Sequence, residues 1–413
     1  MLKRSRIAIA LTLAIILSIG ALAPMALAND AEGPFTKAAI TKVLQMPIGT
    51  SVPTGNFVFD VLPVSVNGDT ANPPPSVAGA VDNAVTIPFS AANSTLQGTV
   101  GDVSTYYMES NELFGTVVWP SAGVFEYTIT ERPNTVTINP ENENIVYSEA
   151  KYTVRVFVRE DDEGELYIYT IAARRTVTDK GVVIPGGLKV DPTPGGDDDI
   201  EGFDYSQMTF NNIYTKHTGC GGNGDDGLEA TLTIGLDVDG ELASTTEYFD
   251  FSITVNQPSL ITDPVQYKAF LVDDDGTILD EDNIQAGQPF TFRLRHGQRL
   301  VFVDTHVGAN YTVTNNGAAG YETSAIITSD AVPGGKAEGS PGEGLTIPDG
   351  AVYTSNPLVG EKENKAEFTS TNNLTPDMGL SMSDLPFYGL ILLALGGIAA
   401  PVAVKAISRN KNK

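Results

Sequence analysis

The 413-residue chain has one cysteine, Cys220, which excludes an intrachain disulfide. Exported proteins that resist force or proteolysis often depend on disulfides, so such a chain needs a different staple. Histidine is nearly as scarce. His217, His296 and His306 are scattered without zinc-type spacing, and no metal site is expected. Positive charge is in short supply: 25 Lys and Arg face 51 Asp and Glu, a formal net charge of −26. Like charge repels, which excludes nucleic acid and anionic membrane surfaces as partners. No ten-residue amphipathic helix stands out. Ser/His/Asp arrangements and glycine-rich phosphate loops are also missing, so the chain reads as a non-enzyme that calls for no cofactor.

What is present is strand. Segments 57–62, 128–130, 152–158, 166–171, 231–234 and 290–294 alternate β-branched and aromatic residues with polar ones, between Gly, Pro, Asn and Asp. Short strands with frequent turns predict an all-β fold of tandem Ig-like β-sandwich domains. The run 219–227, five glycines in nine residues, has the composition of a linker. It separates one predicted domain, 36–218, from a second, 228–373. The stretch 192–199 reads as a loop before the last strand of the first. The halves resemble each other weakly: Tyr127-Thr-Ile-Thr-Glu131 in one has a counterpart in Tyr311-Thr-Val-Thr-Asn315 of the other.

Both ends carry apolar runs. Residues 1–28 read as a secretory signal, with Lys3, Arg4 and Arg6 before the apolar stretch 7–22 and cleavage between Ala28 and Asn29. A retained anchor is the alternative. Residues 385–404 form an uncharged, mostly apolar run long enough to span a bilayer as a helix. The tail 405–413 carries Lys405, Arg409, Lys411 and Lys413, which places it in the cytoplasm. The body is therefore expected outside the cell, tethered by one C-terminal pass.

Three polar side chains interrupt apolar strand faces. Lys42 shares parity with Ile40 and Leu44, Glu131 with Phe125, Tyr127 and Ile129, and Asn212 with Met208 and Phe210. An amine, a carboxyl and a carboxamide facing one core are costly unless they meet. Burial lowers a lysine pKa and raises that of a carboxylic acid. A neutral Lys42 could then attack the side-chain carbonyl carbon of Asn212. Glu131 would polarise the carbonyl oxygen and carry the proton to departing ammonia. Phe59, Phe125, Tyr127 and Phe210 are candidates to exclude water. The alternative is that all three sit at strand ends and reach solvent.

Ile40-Thr41-Lys42, the stretches 123–131 and 152–158, and Phe210-Asn211-Asn212 resemble the streptococcal-type major pilin family of Gram-positive bacteria. So do 294–300 and 307–314 in the second half. The resemblance implies Ig-like domains with self-formed Lys–Asn isopeptide bonds, here between Lys42 and Asn212 with Glu131 assisting. It also implies assembly with other pilin subunits by a sortase, using a surface lysine ahead of the first domain's closing strand. Lys180 and Lys189 are the candidates. The sorting pentapeptide of such proteins is Leu-Pro-x-Thr-Gly. Residues 375–379, in the spacer 374–384, keep only Pro376 and Gly379 of it, and 385–389 lack its threonine too. Simple membrane anchoring therefore competes with sortase processing. The reading is a structural pilin or stalk subunit at the cell surface; the alternative is an unpolymerised, anchored adhesin for an unidentified host ligand.

The second half departs from this pattern. Its first strand, around Ile234-Gly235-Leu236-Asp237, has no lysine, the glutamate position reads Asn315, and the closing strand reads Phe368-Thr369-Ser370. That domain is expected to fold without a crosslink. Asp273, Asp274 and Asp275 read as a solvated turn rather than a calcium site.

Overall fold

The structure, a computed structural model, describes residues 35–77, 82–196, 204–218, 228–331, 336–347 and 358–373. The signal segment, Ala28 and Asn29, the run 219–227 with Cys220, Pro376, Gly379, and the apolar run and tail from 385 onward lie outside these residues. Among the described residues, no helix is long and apolar enough to cross a membrane. They are all β-structure and turns, in two compact units. One unit is the described chain up to Met46 with Ser51–Tyr214; the other is Pro47–Thr50 with the described chain from Thr215. Residues 215–218 thus group with the second unit, where the Thr218 amide donates to the Thr305 carbonyl at 3.0 Å.

The first unit contains β1 (Thr41–Pro47), β2 (Gly55–Val66), β3 (Ala84–Phe89), β4 (Thr95–Val100), β5 (Val103–Glu109) and β6 (Gly123–Glu131). It continues with β7 (Glu143–Val146), β8 (Lys151–Glu160), β9 (Leu166–Val177), β10 (Val183–Val190) and β11 (Thr209–Lys216). Two sheets form an Ig-like sandwich: β4-β5-β1-β11-β7 and β10-β9-β8-β6-β2-β3. The first and last strands are neighbours and run parallel, with Lys42 opposite Phe210 and Leu44 opposite Asn212. The alternation in β6 buries Phe125, Tyr127, Ile129 and Glu131 on one face, and in β8 it buries Tyr152, Val154, Val156 and Val158. The core between the sheets also takes Phe57, Phe59 and Phe210.

The second unit contains β12 (Leu232–Asp239), β13 (Phe249–Asn256), β14 (Gln266–Val272), β15 (Ile278–Gln285), β16 (Phe290–Leu294) and β17 (Arg299–Phe302). It ends with β18 (Asn310–Asn315), β19 (Tyr321–Thr328), β20 (Lys336–Glu338), β21 (Leu345–Ile347) and β22 (Lys365–Asn372). Its sheets are β15-β14-β17-β12-β22-β19-β20 and β16-β13-β18-β21. Here too the first strand, β12, pairs in parallel with the last, β22.

Candidate functional site

The sandwich brings Lys42, Glu131 and Asn212 together. Lys42 on β1 and Asn212 on β11 lie in one sheet, and Glu131 reaches them from the end of β6 in the other. The side chains of Lys42 and Glu131 have no solvent exposure, and Asn212 is fully buried. Lys42 Nζ is 2.9 Å from Glu131 Oε1 and 3.2 Å from Oε2, and it donates to the Phe210 carbonyl at 3.0 Å. The face of the Phe57 ring lies 4.6 Å from Nζ. Asn212 Nδ2 donates to Glu131 Oε1 at 2.9 Å. A single carboxylate oxygen therefore touches both the amine and the amide nitrogen.

Sequence reasoning put Glu131 against the carbonyl oxygen of Asn212. The structure puts it against the nitrogen instead. The carbonyl oxygen accepts from the backbone N–H of Ser148 at 2.8 Å, and that N–H lies 3.3 Å from Glu131 Oε2. A carboxylate can only accept hydrogen bonds, so it pairs with the NH₂ end of the amide and leaves the oxygen to a donor.

Burial controls the electrostatics. Desolvation brings the Lys42 pKa down to about 8, although Glu131 pulls the other way. Desolvation likewise raises the Glu131 pKa, partly offset by Lys42 and by hydrogen bonds from Asn212 and Ser148. The first shift favours the uncharged amine that attack on an amide requires, and the second favours uptake of the amine's proton by Glu131.

Of the aromatic residues named from the sequence, Phe59 and Phe210 pair at 5.0 Å, and Tyr152 adds to Phe210 at 5.2 Å. Phe125 and Tyr127 pack instead against Trp119 and Phe114. Strand parity did not reveal Ser148, in the connection between β7 and β8. Nor did it reveal Asp179, in the β9–β10 turn, which accepts from the Ser148 hydroxyl at 2.6 Å. Gly181 (φ +74°) closes that turn, with its amide donating to the Thr178 carbonyl at 3.0 Å. The turn leaves Lys180 exposed; Lys189, on the sheet-edge strand β10, is also exposed, with Nζ 5.9 Å from the Phe35 ring centre.

In the second unit, strand register identifies the corresponding positions. Lys42 faces Phe210 and Leu236 faces Phe368; Glu131 faces Phe59 and Asn315 faces Phe251; Asn212 and Ser370 each lie two residues after the paired phenylalanine. The rings correspond as well, since Phe251 and Phe368 sit 5.2 Å apart. Leu236, Asn315 and Ser370 thus occupy the three places, with Asn315 Nδ2 3.5 Å from Ser370 Oγ and Thr323 filling in at 3.2 Å. No amine or carboxyl is present at these positions.

Elsewhere, Asp273, Asp274 and Asp275 bring three carboxylates within 4.8 Å. Asp273 is engaged by Arg295 at 2.8 Å, and Asp275 accepts from the Thr277 amide at 2.9 Å, so both serve the turn. His217 and His306, distant in sequence, have ring centres 3.9 Å apart, and burial lowers the His306 pKa to about 3.

Residues 38–215 match a family described as the Spy0128-like isopeptide-containing domain, and 230–344 match a domain of unknown function, DUF7601. No curated protein matches the chain. Among solved structures it is similar to the major pilin of Streptococcus pyogenes, at 16% identity, 83% coverage of this chain, 99% of that one, and a TM-score of 0.33. It is also similar to the T3.2 major pilin of S. pyogenes (19% identity, 83% and 99% coverage, TM-score 0.31). A third likeness is to the pilus-presented adhesin Spy0125, or Cpa (10% identity, 76% and 100% coverage, TM-score 0.24). Likenesses this distant do not bear on function.

Proposed function

We propose that this chain, whose residues 38–215 match the Spy0128-like isopeptide-containing domain, is a structural pilus or stalk subunit of the Gram-positive pilin type, locked by a Lys42–Asn212 amide bond. The observation that carries the reading is the position of Glu131 Oε1, 2.9 Å from both Lys42 Nζ and Asn212 Nδ2. Neutral Nζ adds to Asn212 Cγ. Glu131 takes the proton from Nζ and returns it to Nδ2, the C–Nδ2 bond breaks, and ammonia leaves. The buried setting holds the reactants in place, and such proximity can supply about 7–11 kcal/mol of the barrier. The reaction occurs once per molecule and needs no cofactor, so this is maturation and not enzymatic turnover.

A bond between positions 42 and 212 closes a loop of about 170 residues. On the loop-entropy account it stabilises by about 4–5 kcal/mol, and it joins adjacent strands at the two ends of the unit. That supplies the staple which a single cysteine cannot. Intact mass of the full chain tests it: wild type should weigh about 17 Da less than its sequence, the mass of one ammonia. Full mass in wild type would sink the proposal.

At the cell surface the subunit joins other pilin subunits, through Lys180 or Lys189 and a sortase acting near Pro376 and Gly379, with 385–404 holding the precursor in the membrane. A ladder of covalent multimers in wall extracts, lost in Lys180→Arg or Lys189→Arg, is the expected result. A lone monomer band would favour the anchored adhesin.

A further inference from the structure

We propose that the backbone N–H of Ser148 is the oxyanion donor for the Lys42–Asn212 condensation, and that Asp179 aims it through the Ser148 hydroxyl. The inference rests on the crosslink reading above. Ser148 is 5% exposed, and its N–H points at Asn212 Oδ1 from 2.8 Å. That oxygen gains the negative charge when Nζ adds to Cγ. A fixed N–H at this distance stabilises the charge without reorganising.

The hydrogen bonds behind Ser148 account for its position. Ser148 Oγ donates to Asp179 Oδ1 at 2.6 Å and accepts from the Ala150 amide at 3.1 Å. Asp179 also accepts from the Asn211 amide at 3.0 Å, from Asn211 Nδ2 at 2.9 Å, and from Arg175. Asn211 directly precedes Asn212. One carboxylate therefore ties the donor's residue to the strand that carries the electrophile. Burial opposes its ionisation, but Arg175, Asn211 and Ser148 outweigh this and keep its pKa below the usual range.

The step balances as follows. The Nζ lone pair forms the new C–N bond and the carbonyl π pair moves to Oδ1. The Nζ proton passes to Glu131 Oε1 and on to Nδ2. The oxyanion then collapses and ammonia departs. Ser148 N–H donates throughout and exchanges no proton. Because the same N–H is 3.3 Å from Glu131 Oε2, protonation of Glu131 weakens that competing contact as Oδ1 becomes the stronger acceptor.

The test follows loss of about 17 Da over time in full-length chain made by cell-free synthesis. Ser148→Ala is compared with the same chain carrying lactic acid at position 148, which replaces only the N–H by an ester oxygen. The ester chain should crosslink about 100-fold more slowly, the usual cost of losing one oxyanion donor. Ser148→Ala and Asp179→Asn should each slow the reaction about tenfold through misplacement, with Ser148→Thr restoring the wild-type rate. Urea midpoints of the same changes in a Lys42→Ala background report any purely structural effect, which the Thr rescue and the ester pair do not share. Equal rates for the ester and Ser148→Ala chains overturn the oxyanion role; wild-type rates in Asp179→Asn overturn the positioning role. A wild type that never loses the mass overturns the crosslink reading itself.

Discussion

Lys42 and Glu131 form an ion pair at 2.9 Å whose side chains are both fully shielded from solvent. A buried pair of this kind adds little net stability, because desolvating two charges offsets their attraction. Its presence in a core built mainly of aliphatic and aromatic side chains fits the proposed chemistry better than a contribution to folding.

Removing one partner of that pair should be worse than removing both. Glu131→Ala strands a buried amine and also stops crosslinking. It should cost the first unit about 3–5 kcal/mol beyond the lost crosslink. Lys42→Met with Glu131→Leu should recover most of that difference while still showing full mass. Urea unfolding of the first unit, read beside intact mass, measures both.

Asn212→Ala isolates the bond, since Lys42 and Glu131 remain paired. Full mass is expected, with a loss of about 4–5 kcal/mol on the loop-entropy account. The variant should also become sensitive to proteases that wild type resists. Undiminished stability at full mass would remove the mechanical rationale for the crosslink.

Crosslinking should accelerate with pH. Lys42, lowered to about 8 by burial, is mostly protonated at pH 6.5, and its neutral fraction grows as pH approaches 8. The rate should rise about tenfold per pH unit below that point and level off above it. In Asn212→Ala, which keeps the amine free, the unfolded chain binds more protons at Lys42 between pH 8 and the ordinary lysine value of 10.5. The Lys42 contribution to stability therefore rises through that window. Glu131, raised by burial, acts oppositely at lower pH: its contribution is lost as pH climbs through its folded pKa. A flat rate profile between pH 6.5 and 8.5 would contradict the assignment of Lys42 as the nucleophile.

The second unit offers a constructive test. Leu236→Lys alone buries an amine beside Asn315 and Ser370 and should destabilise that unit by about 3–5 kcal/mol, as an uncompensated charge does. Adding Asn315→Glu and Ser370→Asn rebuilds the reactants at the corresponding register. The triple variant should lose about 34 Da in all, one ammonia per unit. A loss of only one ammonia would show that the register alone is insufficient.

Much of this was legible in one dimension because strand alternation is local. Phe125, Tyr127 and Ile129 place Glu131 on a buried face whatever the neighbouring strands are. The same parity puts Lys42 and Asn212 on apolar faces, so the sequence by itself determined the all-β class, the three polar residues that interrupt those faces and the lack of such a set in the second half. It could not reveal Ser148, whose contribution is a backbone N–H that every residue except proline carries. Nor could it reveal Asp179, one of 51 acidic residues, set apart by a turn that brings it to Asn211, 32 positions away. Parity also leaves open which end of the Asn212 amide meets Glu131. That required the order of strands in two sheets, the parallel pairing of β1 with β11, and the 147–150 connection arriving on the oxygen side. Those contacts span 64 to 89 positions, and only the closing of the sandwich decided them.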